Sequence, residues 1–208
     1  MPLVYQQNIN DAAKIGVWRM AETEDFFLQE VHSFRAISHP VKRLQHLAGR
    51  YLLKVLEPSI NLNEIQLSEN GRPFLQGDSF YFSISHSKEF VAVLVSDKNP
   101  VGIDIEVCTD RSDEVYNKFL TQPEQDLLLR FIATKSDAYT MGWTIKEALF
   151  KWGGQRKVDF KQQLIIDSIQ KSHEKFITTC VTKKDVTSEQ VVVTSQVFEN
   201  AFLSWVGA

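Results

Sequence analysis

Apolar and polar residues alternate along Val101-Gly102-Ile103-Asp104-Ile105-Glu106-Val107, the period-two pattern of an extended strand. Ile103, Ile105 and Val107 fall on one face, and Asp104 and Glu106 on the other. At about 3.3 Å of rise per residue, the two carboxylates stand roughly 6.5–7 Å apart. Asp is depleted in strands because its side chain competes for backbone hydrogen bonds, so this position asks for a reason. Two readings are open: the wet face of an amphipathic strand, or two acids placed to share a hydrated cation.

The same reading places elements along the rest of the chain. Ile15–Met20 reads as an opening strand, and Thr23-Glu24-Asp25 supplies a cap and first-turn acids for a helix reaching about Val31. From Val41 to Leu56, Leu44, Leu47, Ala48, Tyr51, Leu52 and Val55 recur every three or four residues behind Pro40, which predicts a long helix. Arg43 and Arg50 lie on nearly the same side of it; a solvated face is their ordinary explanation. Glu69–Pro73 is a turn. Phe80–Ser87, ending in Ser85-His86-Ser87, then Phe90–Val95, then the acidic strand behind Ser96–Pro100, are spaced as an antiparallel meander. Tight connections would bring His86 toward the acidic pair. Thr109–Met141 reads as mostly helical, with a break and restart at Phe119–Glu124. The next predicted helix is Trp143–Trp152, ended by Gly153-Gly154. Ile145, Ala148, Leu149 and Trp152 share one arc of it; Thr144, Glu147 and Lys151 share another. Glu147 and Lys151 are stacked at i,i+4, worth only ~0.3–0.5 kcal/mol if merely exposed. Segments 176–181, 191–194 and 201–206 read as strands of a second sheet. Each half thus offers a long helix with antiparallel strands: an α+β chain with a hint of duplication.

Composition narrows the partners. The 208 residues are 43% hydrophobic and 24% charged, an ordinary balance for a folded domain with a core. A net charge of −3 supplies no global field for nucleic acid or an anionic membrane, so neither is expected as a partner. Any anionic ligand must be gripped by a local cluster. The two cysteines, Cys108 and Cys180, are in no metal-ligand spacing and form no disulfide framework, which fits a reducing compartment. The start lacks a basic region followed by an apolar run. A cytoplasmic monomer is the expectation.

Four motifs then follow in order: Gly71-Arg72-Pro73; Phe82-Ser83-Ile84-Ser85-His86-Ser87; Gly102-Ile103-Asp104-Ile105-Glu106; and Trp143-Thr144-Ile145-Lys146-Glu147-Ala148-Leu149-Phe150-Lys151. With Phe119 and Glu124 between the last two, this order resembles the 4′-phosphopantetheinyl transferase superfamily, in its two-lobed type that activates carrier proteins of peptide and polyketide synthases. The resemblance spans roughly residues 40 to 152. It implies two similar lobes, 1–100 and 101–208, each a small antiparallel sheet with a long helix, and an active site in the cleft between them. It implies transfer of the phosphopantetheine arm of coenzyme A to a serine of an apo acyl or peptidyl carrier protein, with Mg²⁺ and release of 3′,5′-ADP. By the same resemblance Asp104, Glu106 and Glu147 are metal ligands, and Glu147 also accepts the serine proton. Lys151 holds a phosphate oxygen, and Arg43, Arg72, Ser85 and His86 surround the nucleotide. Better-known members carry lysines before the Arg43 helix, where this chain has Glu30-Val31-His32-Ser33-Phe34-Arg35. Either His32 or Arg35 substitutes, or the 3′-phosphate is held less tightly. An acidic carrier needs a local basic or apolar dock, expected in the Tyr116–Phe131 region. The rivals are a degenerate binder of coenzyme A or carrier protein, a Mg²⁺-dependent pyrophosphate hydrolase, and a scaffold.

Overall fold

Pro40 begins the longest helix of the N-terminal half, at a position where its missing N–H would have had no partner anyway. In the computed structural model, which describes residues 2–32, 36–69, 71–77, 79–109, 113–155, 157–184 and 186–207, this helix belongs to the first of two units, Met1–Val101 and Gly102–Gly207. The first unit runs β1 (Leu3–Asn8), β2 (Ala13–Arg19), α1 (Glu24–Leu28), α2 (Pro40–Leu56), β3 (Ile65–Leu67), β4 (Pro73–Leu75), β5 (Tyr81–Ser87) and β6 (Phe90–Ser96). An antiparallel sheet in the order β1-β2-β6-β5 carries α2, while β3 and β4 make a separate hairpin. The apolar stripe of α2 puts Leu47, Ala48, Leu52, Leu53 and Leu56 in one core with Phe82, Val91, Val93 and Val95. Each of these leucine, valine and phenylalanine side chains contributes about 1.5–3 kcal/mol by leaving water.

The second unit runs β7 (Gly102–Val107), α3 (Asp113–Tyr116), α4 (Gln122–Leu129), α5 (Lys135–Gly153), β8 (Leu164–Ser172), β9 (Lys175–Lys184), β10 (Thr187–Phe198) and β11 (Ala201–Val206). Its antiparallel sheet is ordered β7-β11-β10-β9-β8. Helix α5 supplies Met141, Ile145, Ala148 and Leu149 to a core shared with Ile166, Phe176, Cys180, Val193 and Phe202. The fold is therefore α+β, with a sheet and a long helix in each unit. Among the described residues no helix is long and apolar enough to cross a membrane.

Three expectations are corrected. The meander stops at two strands: β6 pairs with β5 on one edge and with β2 on the other, so neither edge is left for β7. β7 pairs instead with β11, with Asp104 opposite Ser204 and Ile103 opposite Trp205. Helix α5 starts at Lys135, earlier than the Trp143 expected, because Thr134 Oγ1 accepts the Asp137 N–H at 3.1 Å and caps it there. It closes where expected, on Gly154 at φ 64°, a left-handed conformation that glycine adopts without strain. Helix α1 ends at Leu28, short of the Val31 expected, and strands β1 and β8 were not foreseen at all.

Candidate active site

The acidic strand meets α5 at nearly backbone contact. A Cβ at Gly102 would run into the Ala148 carbonyl oxygen and stand 2.7 Å from the Trp152 nitrogen. Only glycine allows this approach, and it aims the polar arc of α5 at the polar side of β7. Asp104 is 3% exposed, which rules out the wet-face reading for that residue. Lys151 turns away from the simple i,i+4 partnership: its Nζ donates to Asp104 Oδ1 at 2.7 Å and to the Ile103 carbonyl at 3.0 Å. On the strand side, Ser204 faces Asp104 across the pairing and belongs to a buried chain of hydroxyls. Ser204 Oγ lies 2.8 Å from both Thr144 Oγ1 and Ser195 Oγ, and Thr144 donates to the Met141 carbonyl at 2.9 Å. This chain ties α5 to β11 one turn before Glu147.

Glu147 is half-buried, one turn before Lys151. Its carboxyl is pushed up to about 7, first by burial, then by the negative charge of Asp104 and, more weakly, of Glu106; Lys151 opposes the shift. The three acids expected together are therefore near enough for their charges to be felt at one carboxyl. Among the described residues no three His, Cys, Asp or Glu side chains are gathered closely enough to hold a metal ion as they stand.

One residue of the motif does something the sequence reading did not assign. Lys146 is fully buried and ion-paired to Glu124 at 2.7 Å. Its Nζ also donates to the carbonyls of Phe119 and Phe160, each at 2.8 Å. Glu124 Oε1 also accepts the Ile166 N–H at 2.9 Å, while Oε2 accepts the Thr121 N–H and hydroxyl at 2.7 and 2.9 Å, completing the capping box of α4. Burial still lowers the lysine's proton affinity despite this partner. The pair locks α4, α5 and β8 together and fixes the rotation at which α5 presents Glu147.

The first unit holds a cavity of about 240 Å³ lined by Lys42, Gln45, His46, Arg50 and His86, with Ile37, Leu67, Gly71, Pro73 and Ile84. Arg50 Nη1 lies 3.2 Å from His46 Nδ1. Since a guanidinium can only donate, that ring nitrogen is the acceptor. Of the residues expected around a nucleotide, His86 reaches this cavity. Arg43 stands elsewhere: its Nε donates to Glu24 at 2.8 Å and its Nη1 to the Ile37 carbonyl at 3.0 Å. Arg72 Nη2 donates to the Val101 carbonyl at 3.4 Å, and burial lowers its proton affinity. Ser85 precedes His86 on β5, so the two side chains leave opposite faces of the strand. His32 is exposed, and Arg35 lies outside the described residues. Lys42, His46 and Arg50 were missed as a group, although their spacing of four along α2 was there to be read.

Comparison with known proteins points to one family. Residues 100–198 match the family model described as the 4′-phosphopantetheinyl transferase superfamily. The chain is 35% identical over 128 residues to the 4′-phosphopantetheinyl transferase AcpT of Salmonella typhimurium, covering 55% of this chain and 60% of that protein. It is 38% identical over 88 residues to the transferase psf-1 of Bacillus pumilus, covering 41% and 37% of the two chains. To Sfp of Bacillus subtilis it is 33% identical over 89 residues, covering 42% and 39%. The matched stretch thus spans less than two thirds of each of these relatives.

Proposed function

Because the chain belongs to the 4′-phosphopantetheinyl transferase superfamily, we propose that it transfers the 4′-phosphopantetheine group of coenzyme A to a serine of an apo carrier protein. The observation that carries this reading is Glu147, a carboxyl held near neutrality beside Asp104, with the Lys151 ammonium on that aspartate. In the reaction the serine Oγ attacks the β-phosphorus of coenzyme A and forms the new Oγ–P bond. The bond from that phosphorus to the bridging oxygen breaks, 3′,5′-ADP leaves with the electron pair, and the hydroxyl proton passes to Glu147. Without a bound ion, burial and the neighbouring acids make this carboxyl hold a proton more tightly than an exposed one, and a cation beside it would favour the ionised form that accepts the serine proton. Lys151, one turn on, offers positive charge to the departing phosphate.

Three carboxylates with one ammonium among them form a hard-oxygen donor set short of positive charge, which suits Mg²⁺. Asp104, Glu106 and Glu147 are the residues that would hold it, and the bound ion would offset charge on the pyrophosphate oxygens. The cavity of the first unit, with Lys42, His46, Arg50 and His86 on its walls, fits a phosphate group of the nucleotide. Arg72 and Arg43 keep N–H donors beyond those given to the carbonyl and carboxylate partners described above.

Intact-mass measurement of a panel of apo acyl and peptidyl carrier proteins, incubated with coenzyme A and Mg²⁺, tests the proposal. A carrier heavier by one phosphopantetheine, with 3′,5′-ADP released in equal amount and both lost on chelation, is the expected result. Unchanged carriers with coenzyme A still bound would leave a binding module, and 3′,5′-ADP released without any carrier would mean a hydrolase.

A further inference from the structure

Lys42, His46 and Arg50 recur at every fourth residue of α2, so their side chains stack along one face about 6 Å apart. Side chains on a helix lean toward its N-terminus, which carries Arg50 back over the turn that holds His46. Arg50 Nη1 meets His46 Nδ1 there at 3.2 Å. Strand β5 makes another wall of the same cavity. A Cβ at Gly49 would stand 2.8 Å from Ile84 Cγ2, so β5 lies close on α2, and His86 leaves the strand on the same face as Ile84. Arg50 is 7% exposed, so its charge sits on the cavity wall with little help from water. The ring that accepts from it carries its proton on Nε2 while it is neutral, and it can no longer accept once Nδ1 is protonated.

We propose that His46 positions Arg50 for a phosphate group of coenzyme A and takes up a proton when that phosphate binds. Before the anion arrives, the acceptor bond to Arg50 and the positive charge of Lys42 and Arg50 on the same wall favour the neutral ring. His86 is the titratable group that β5 adds. The β3–β4 hairpin brings Leu67, Gly71 and Pro73; its Arg72 is turned to the Val101 carbonyl, and its Glu69 is exposed. Residues 36–39 bring Ile37, with His39 exposed. Lys88 and Glu89 are exposed in the β5–β6 turn, which Gln45 ties to α2 by donating to the Lys88 carbonyl at 3.1 Å. A phosphate offers acceptors to both the guanidinium and the protonated ring, replacing their mutual bond with two charge-assisted ones. A ligand that prefers the protonated form draws the proton in as it binds, so its affinity rises as pH falls through the imidazole range. This deepens the nucleotide reading of the cavity and rests on it, and binding without turnover tests it.

Coenzyme A is titrated by calorimetry into the parent, His46→Gln and His46→Leu, in chelator, between pH 6 and 8. Buffers of different ionisation heat report the protons exchanged. Glutamine offers Arg50 an acceptor oxygen but takes no proton, and leucine offers neither. The titrations of the phosphate, of His86 and of Glu147 are common to all three proteins, so differences among them belong to position 46. At pH 7 the parent is expected to take up about half a proton more than His46→Gln, and between pH 8 and 6 to gain about fivefold more affinity. At pH 8, His46→Leu is expected to bind about tenfold more weakly than His46→Gln, with thermal midpoints checking that each variant folds. Equal proton exchange in the parent and His46→Gln overturns the coupling, and equal affinity of the two variants at pH 8 overturns the positioning role. No coenzyme A binding by the parent overturns both together with the nucleotide reading. Proton-coupled binding by a protein that modifies no carrier would instead sink the transfer and leave this site standing.

Discussion

Replacing Lys146 with Met removes an ammonium at the centre of the second unit while keeping most of its volume. The loss can be worked from its contacts. Glu124 would keep three hydrogen bonds from Thr121 and Ile166 but lose its counter-charge. The carbonyls of Phe119 and Phe160 would lose a donor that no water replaces. Stranding one member of a buried ion pair costs about 3–5 kcal/mol, and the unsatisfied carbonyls push the value toward the upper end. About 4 kcal/mol is expected. With a urea m-value of about 2 kcal/mol/M, the midpoint followed by circular dichroism should fall by about 2 M. Glu124→Gln should cost about 3 kcal/mol by the same logic. The double variant should lose less than the two single losses added together, by about 1.5 kcal/mol or more, because neither charge is then left alone. A Lys146→Met loss under 1 kcal/mol, or additive single variants, would show that the pair is not what holds α4, α5 and β8 together.

Other outcomes follow from the site. Glu147→Gln should lower transfer by about 10²-fold or more without loss of fold. The Glu147 carboxyl sits near 7 when folded and at 4.5 when exposed, so the native state binds its proton more tightly. Its contribution is fully present below pH 4.5 and is lost as pH rises to about 7, a fall of about 3 kcal/mol. Melting curves between pH 4 and 8 in chelator should show that decline in the parent and not in Glu147→Gln, and Mg²⁺ at pH 8 should reverse it; parallel curves would remove the raised carboxyl from the account. Gly102→Ala should cost 3 kcal/mol or more, since the added carbon meets backbone rather than a movable side chain, and an unshifted thermal midpoint would contradict the close packing. Arg50→Met should raise the KM for coenzyme A about tenfold with a smaller change in kcat; an unchanged KM would take the cavity out of nucleotide binding.

What the chain declared in advance was local. The spacing of Leu44, Leu47, Tyr51 and Leu52 located α2, and the alternation through Asp104 located β7, because both signals are complete within a dozen residues. Which sheet β7 joins was not readable: its partner β11 lies far along the chain, and nothing near Gly102 names it. Strand β8 was hidden for another reason. Its register shifts between Ile166 and Ser168, which breaks the period of two that would have revealed it. The site divided along the same line. Asp104, Glu147 and Lys151 stood out through motifs, and the structure brings them together. Lys146 was given no role, since its three acceptors come from distant loops and another helix. The resemblance chose Arg43 rather than Arg50 for the nucleotide, whereas Glu24, from a different helix, pairs with Arg43 and it is Arg50 that lines the cavity.

The missing side chain at Gly102 reaches beyond packing. With strand and helix pressed main chain to main chain, the gap between the Asp104 and Glu147 carriers has almost no adjustable part. A substitution elsewhere can tilt a rotamer there but cannot slide one acid away from the other. On the transfer reading proposed above, divergence toward new carriers would then have to proceed at the margin of this acidic corner, leaving its geometry inherited whole.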